Sequence, residues 1–90
     1  MNIRQLEYFM LTAECRNVTE AAERLHMAQP PLSRALRALE DELGVTLFSR
    51  SNKGVRLTDA GRILYEEANP LFRQIENIQT TVRESSNGLC

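Results

Sequence analysis

Residues 17–43 read NVTEAAERLHMAQPPLSRALRALEDEL, and the rest of the predicted fold is arranged around them. Its apolar positions follow a short helical period, stop at a few small and polar residues, and resume after two prolines. Proline is tolerated in the first turn of a helix because the backbone N–H groups there have no intrahelical partner. The stretch therefore predicts a short helix, a tight turn and a longer helix that begins at about Pro30.

The short helix is predicted over residues 20–26, with Thr19 as its cap. Its buried face contains Ala21, Ala22 and Leu25, and two adjacent alanines allow another helix to pack closely. The longer helix ends at Gly44, and its buried face is a leucine stripe: Leu32, Leu36, Leu39 and Leu43.

The outward face of the longer helix is cationic near its start, with Arg34 and Arg37, and acidic near its end, with Asp41. This order opposes the helix dipole, which favours anions at the N-terminus. We therefore expect the first half of this face to contact an anionic surface.

The flanking segments complete a small domain. Residues 3–16 have the spacing of an amphipathic helix, and its predicted buried face consists of Ile3, Leu6, Phe9, Met10 and Ala13. Residues 45–50 and 55–57 are prone to form strands around the turn at residues 51–54, which predicts a β-hairpin. The cations of this hairpin are Arg50, Lys53 and Arg56, with no anion between them.

Thr58 is predicted to cap a last, long helix that reaches about Glu84. Its apolar stripe has the spacing of a coiled coil and consists of Leu64, Ala68, Leu71, Ile75, Ile78 and Val82. Tyr65 and Phe72 widen the stripe, so part of it is expected to face the domain. The outer part is expected to pack against a second copy, and the alternative is that the helix folds back on its own domain. Pro70 predicts a kink or a break over residues 66–70.

Composition limits the classes of function. The chain has 90 residues, 42% of them hydrophobic and 26% charged, which suits one globular domain. It contains neither a signal peptide nor an apolar run that could span a membrane, so a cytoplasmic protein without membrane contact is expected. Cys15 and Cys90 form neither a metal motif nor a disulfide framework, and Cys15 is expected to pack as a small residue. The net charge is −1, yet residues 24–56 carry six cations and three anions.

A helix, a tight turn, a second helix and a basic hairpin form the plan of a winged helix-turn-helix, in which the second helix enters the major groove of double-stranded DNA. Side chains suited to base edges are Gln29, Pro30, Pro31, Ser33 and Arg34. Thr19 and Arg37 are expected on the phosphate backbone, and Arg50, Lys53 and Arg56 of the wing on the backbone or the adjacent minor groove.

Two other functions remain open at this point. A winged-helix module that binds another protein would explain the long apolar stripe and the small net charge. It would not explain the Gln, Ser and Arg side chains at the start of the third helix. An enzyme is disfavoured because His26 is the only histidine, and neither a nucleophile with its base nor a metal-ligand spacing accompanies it.

Three segments make the interpretation more specific: IRQLEYF, AAERLHMAQPPLSRALRALEDELGVTLFSR and VRLTDAGRILYEEA. They resemble the N-terminal DNA-binding region of LysR-type bacterial transcriptional regulators. The resemblance implies base reading by Gln29, Pro30, Ser33 and Arg34, and wing contacts by Arg50 and Lys53. It also implies a homodimer or a tetramer on an inverted repeat, and a C-terminal domain, absent from this chain, that binds a small-molecule effector. No cofactor is expected in the fragment itself.

The expected organisation is mainly α, with a three-helix core and a small hairpin. Residues 1–58 would form the winged helix-turn-helix, residues 59–86 the linker and dimerisation helix, and residues 87–90 a disordered tail. The expected dimer contacts are Leu64, Ala68, Leu71, Phe72, Ile75, Ile78 and Val82.

Overall fold

The computed structural model describes residues 1–88. Within this range the elements are α1 (Ile3–Cys15), α2 (Val18–Arg24), α3 (Gln29–Leu43), β1 (Phe48–Ser51), β2 (Gly54–Leu57) and α4 (Asp59–Gly88). The first three helices pack against one another, and β2 contacts both α1 and α4. The predicted winged helix-turn-helix followed by a long helix is thereby confirmed.

Asparagine caps set the starts of α1 and α2. Asn2 Oδ1 accepts a hydrogen bond from the backbone N–H of Gln5 at 2.8 Å, and Asn17 Oδ1 accepts one from Glu20 at 2.9 Å. The prediction that Thr19 caps α2 is wrong, because Asn17 is in the extended conformation of a cap and Thr19 lies inside the helix. Asparagine is at least as effective a cap as threonine, so the helix begins two residues earlier.

The core consists of side chains from the first three helices, from the hairpin and the residue before it, and from Ala68 of α4. Five of its large apolar side chains are at most 1% exposed: Phe9, Leu32, Leu36, Leu39 and Leu47. The ring of Phe9 lies 5.3 Å from that of Phe48, centroid to centroid, which joins α1 to β1. Two predicted core residues are not in it: Ile3 is 43% exposed and Leu43 is 39% exposed. Each occupies the end of its helix, beyond the elements that would cover it.

The hairpin is antiparallel, with Ser49 opposite Arg56 and Arg50 opposite Val55. Its first strand begins later than predicted, because residues 45–47 connect α3 to β1. The backbone groups of this connection have partners outside a strand: the N–H of Leu47 donates to Glu40 Oε2 at 2.7 Å, and its carbonyl accepts from Thr58 N–H at 3.0 Å.

Helix α4 is unbroken through Pro70, so the predicted alternative of a break is wrong. Proline removes the hydrogen bond to the carbonyl four residues earlier, which here belongs to Glu66. Both residues are exposed, so water can satisfy that carbonyl. The helix extends to Gly88, past the predicted start of a tail at residue 87, and Leu89 and Cys90 lie outside the described residues. No helix within residues 1–88 combines the length and the apolar character needed to cross a membrane.

Candidate nucleic-acid interface

The start of α3 presents polar and cationic side chains away from the core. Gln29 is the first residue of the helix, and Pro30, Arg34 and Arg37 are exposed along one face. Pro31 and Ser33 are only half-buried, which places them at the edge of that face. The two prolines occupy the first turn, where their missing donors cost nothing.

The starts of α2 and α3 meet at one pair of side chains. Thr19 Oγ1 donates to Gln29 Oε1 at 3.4 Å, a long contact between two exposed groups. An amide oxygen has two lone pairs and the amide nitrogen has two donors, so Gln29 retains both kinds of hydrogen-bonding group for a partner. Thr19, predicted as a separate phosphate contact, therefore lies directly beside a predicted base-reading residue.

A shallow groove joins these helix starts to the wing. We call it the interface groove, and the predicted site residues that line it are Thr19, Gln29, Arg50 and Lys53. The wing tip at residues 51–54 forms its other wall. The fold thus brings together side chains that are 34 positions apart in the sequence, from Thr19 to Lys53.

The wing is held beside the helix-turn-helix by a close backbone contact. The N–H of Val55 donates to the carbonyl oxygen of Arg16 at 3.0 Å. Gly54 has φ +116°, and a Cβ there would lie 2.3 Å from that same oxygen. Only glycine fits this approach, because any side chain would collide with backbone and would also be strained at this φ. The hairpin position is therefore fixed by the Arg16–Gly54 contact.

Arg56 is separated from the other two wing cations. Cross-strand partners share a face of a hairpin, and faces alternate along a strand, so Arg50 lies on the face of Val55 and Arg56 on the opposite one. Arg56 does not line the interface groove but a second one, next to α1 and α4. The wing set predicted from the sequence is thus divided between two sites.

Glu40 is a positioning residue that the sequence reasoning missed. Its Oε2 accepts hydrogen bonds from Leu47 N–H at 2.7 Å and from Phe48 N–H at 3.3 Å, which ties α3 to the first strand of the wing. The available signal was its place on the helical wheel, four residues after Leu36 and next to the leucine stripe. A carboxylate so close to an apolar face is expected to have backbone or cationic partners.

The cations of this region are available for an anionic partner. Within the described part of the chain, the side chains of Arg34, Arg37, Arg50 and Lys53 take part in no ion pair. Arg24 differs, because it pairs with Glu20 at 3.1 Å on the exposed surface of α2.

Two side chains have raised pKa values: Cys15, the last residue of α1, and Tyr65 of α4. Burial, together with the neighbouring Glu14 carboxylate, raises the pKa of the Tyr65 hydroxyl. Burial also raises the pKa of the Cys15 thiol, and nearby Arg24 lowers it to a smaller extent. Both groups therefore stay neutral near pH 7, and Cys15 is not an activated nucleophile.

The apolar stripe of α4 is divided between two surroundings. Ala68 is buried in the core of the chain, and Leu64 and Phe72 pack against that core. Further along, Ile75 is half-buried, whereas exposure reaches 62% at Val82. Some of the predicted dimer contacts thus belong to the domain itself. The others form a group that we call the distal stripe: Leu71, Ile75, Ile78 and Val82.

Comparison with known proteins agrees with this arrangement. The chain is 46% identical over 83 residues to the probable cat1 operon transcriptional activator of Acinetobacter lwoffii, covering 92% of this chain and 27% of that protein. The BenM_DBD/catB site 1 DNA complex has a TM-score of 0.91 at 34% identity and covers 100% of this chain and 97% of that one. The CbnR_DBD-DNA complex has a TM-score of 0.85 at 41% identity, with 96% and 99% covered.

The family model for bacterial regulatory helix-turn-helix proteins of the lysR family matches residues 3–62, which include all of α1, α2, α3 and the hairpin. The chain spans less than a third of the length of the cat1 operon activator, so the match concerns one region of a longer type of protein. Sequence, fold and family model agree, and this chain belongs to the lysR family of bacterial regulatory helix-turn-helix proteins.

Proposed function

We propose that this chain is the DNA-binding part of a dimeric transcriptional regulator that reads an inverted repeat in double-stranded DNA. The observation that carries the proposal is the interface groove, where Gln29 at the start of α3 lies beside Arg50 and Lys53 of the wing. An exposed helix start beside an unpaired cationic wing suits a major groove and the phosphates next to it.

Each side chain has a part in this proposal. Gln29 pairs with adenine, Arg34 pairs with guanine, and Ser33 donates to a base or a phosphate. Pro30 contacts a thymine methyl group. Pro31 is half-buried, so only the exposed edge of its ring is available for a similar contact. Thr19 and Arg37 contact phosphates, and Arg50 and Lys53 contact the backbone or the minor groove.

The assembly and the wider protein are also part of the proposal. The distal stripe of α4 is the surface that we assign to a second copy, which would place two α3 helices on two half-sites. Relatives such as the cat1 operon activator are much longer than this chain. We infer that regulation by a small-molecule effector belongs to a C-terminal domain of the whole protein, which would act on DNA in the cytoplasm.

A protein-interaction module is the second candidate, and the exposed Leu71, Ile78 and Val82 favour it. A salt-dependent gel shift separates the two functions. DNA binding predicts retention of duplex fragments that weakens linearly on a log–log plot of affinity against salt, because each neutralised phosphate releases counterions. Absence of any shift at low salt would favour the interaction module.

A further inference from the structure

A second groove lies on the other side of the contact between Arg16 and β2. It has a volume of about 390 Å³ and is enclosed by the end of α1, strand β2 and the first turns of α4. Three arginines from these three elements line it: Arg16, Arg56 and Arg62. We call this set the arginine strip.

The arginine strip is poorly neutralised by the protein. Among the described residues, the side chains of Arg16 and Arg56 form neither an ion pair nor a hydrogen bond with another side chain. Arg62 pairs with Asp59 at 3.3 Å, but their side chains are 63% and 99% exposed. Such exposed pairs contribute little, so Arg62 can exchange its partner at low cost.

Among the described residues, one carboxylate lines this groove, that of Glu14. It lies near the Tyr65 hydroxyl and, after burial, is the second cause of the raised pKa of that group. The described lining therefore carries three arginines and one carboxylate. An anion bound at the groove would be attracted by this excess of positive charge.

We propose that Arg16, Arg56 and Arg62 bind phosphates of the DNA that flanks each half-site. This inference rests on the proposed DNA-binding function and extends its footprint past the wing. Two observations join the strip to the interface groove: Val55 lines both, and Arg16 is followed directly by Asn17, which lines the interface groove. A DNA backbone that follows the wing would reach the strip next.

Arginine suits this partner because its planar fork donates two parallel hydrogen bonds to a phosphate. An acidic protein segment is the other ligand that the charges allow. Continuity with the interface groove favours DNA, and the experiment treats the acidic segment as a contrary outcome.

The test compares a short duplex that contains one selected half-site with a longer duplex that adds flanking base pairs of arbitrary sequence. Affinities are measured by fluorescence anisotropy at several salt concentrations. For the unaltered chain we expect tighter binding of the longer duplex and a salt slope steeper by about 0.9 for each added phosphate contact. The Arg16→Ala/Arg56→Ala/Arg62→Ala variant should lose this gain from the flanks.

A matched control removes three arginines that are exposed elsewhere, in the variant Arg4→Ala/Arg73→Ala/Arg83→Ala. This control should keep the full gain from the flanks. Because Arg16 also forms the left-handed C-cap of α1, with φ +57°, the Arg56→Ala/Arg62→Ala variant provides a second test that leaves the cap intact. It should lose most of the gain.

The inference is overturned if the flanks give no gain in the unaltered chain, or if the arginine variants keep it. In either case the strip would be left for an acidic protein segment. Failure of the proposed function looks different, because neither duplex would then bind to any variant.

Discussion

Arg34 and Lys53 are both exposed and outside any ion pair in the described chain, yet they have different parts in the proposed complex. Arg34 lies on the outward face of α3, where a guanidinium can pair with one particular base. We predict that Arg34→Ala costs about 1 to 3 kcal/mol of binding free energy on the selected site and relaxes the sequence preference. Competition between selected and random duplexes measures both effects.

Lys53 lies at the wing tip and is assigned to the backbone. Its replacement by alanine should weaken binding to all duplexes alike and reduce the salt slope by about one. If Arg34→Ala also caused equal losses on selected and random DNA, Arg34 would have no part in reading bases.

The raised pKa values of Cys15 and Tyr65 make stability depend on alkaline pH. Folding favours the neutral form of each group, so its contribution is complete below the ordinary values of 9.0 for the thiol and 10.0 for the hydroxyl. The contribution is lost as pH rises through the raised values. We predict that the free energy of unfolding in urea falls above about pH 9.

The Cys15→Ser/Tyr65→Phe variant is the control for this effect, because it removes both ionisable groups. Its unfolding free energy should depend less steeply on pH between 8 and 11. An equal decline in the variant and the unaltered chain would show that other groups are responsible.

The helix ends that depend on the chemistry of a single residue could be predicted from the sequence. Thr58 was predicted as a cap and accepts the N–H of Gly61 at 3.0 Å, and Gly44 ends α3 with φ +70°. At the start of α2 two adequate caps, Asn17 and Thr19, stand two positions apart, and their local preferences do not separate them. The separation of Arg56 from Arg50 follows from the register of the hairpin, which the sequence pattern did not specify.

At the scale of elements, Glu40 joins α3 to the wing. Its carboxylate accepts two backbone N–H groups from residues 47 and 48. Hydrogen bonds to a charged group contribute about 1.5 to 3 kcal/mol each, and leaving buried donors without a partner has a similar cost. We predict that Glu40→Ala lowers the free energy of unfolding by about 2 kcal/mol, measured by urea denaturation.

The Glu40→Gln variant is the matched comparison, since it keeps one acceptor oxygen without the charge. It should lose clearly less stability than Glu40→Ala. Asp41→Ala, on the exposed face one position further along, should have almost no effect. Equal losses at positions 40 and 41 would contradict a specific link to the wing.

Helix α4 shows what patterns of period and propensity cannot decide for an element. Its apolar spacing predicted one stripe, but the fold buries Ala68 within the domain and leaves Val82 62% exposed. The apolar spacing is the same along the whole stripe. The buried part of α4 ends where the three-helix body ends, and the size of that body is not contained in the spacing. Pro70 was likewise ambiguous, because the cost of an interior proline depends on whether water reaches the freed carbonyl.

At the scale of the whole molecule, the distal stripe is proposed to bind a second copy. Introducing charge there should weaken self-association, because a dimer would bury these side chains. We predict that Ile78→Asp/Val82→Asp lowers the dimer affinity at least tenfold in sedimentation equilibrium, roughly 1.4 kcal/mol. Thr80→Asp, an exposed position on the opposite side of α4, is the control and should leave self-association nearly unchanged.

The net charge of the molecule was the least informative property of the sequence. A value of −1 argues against an anionic partner, whereas the fold gathers Arg50 and Lys53 beside the start of α3. Charges act over about a Debye length in physiological salt, so the local arrangement determines which partner is attracted. The order of elements was predicted from the sequence, but the division of the cations between two grooves required the structure.

Selection of bound duplexes from random DNA shows whether a dimer reads an inverted repeat with the start of α3, because the preferred bases and the spacing of half-sites emerge from one measurement. We predict an enriched inverted repeat whose half-sites are separated by about 10 base pairs or a multiple of that. Loss of this enrichment is expected in the Gln29→Ala/Arg34→Ala variant. Recovery of random sequences, or of single half-sites that bind as tightly as the repeat, would contradict a dimer that reads DNA with the start of α3.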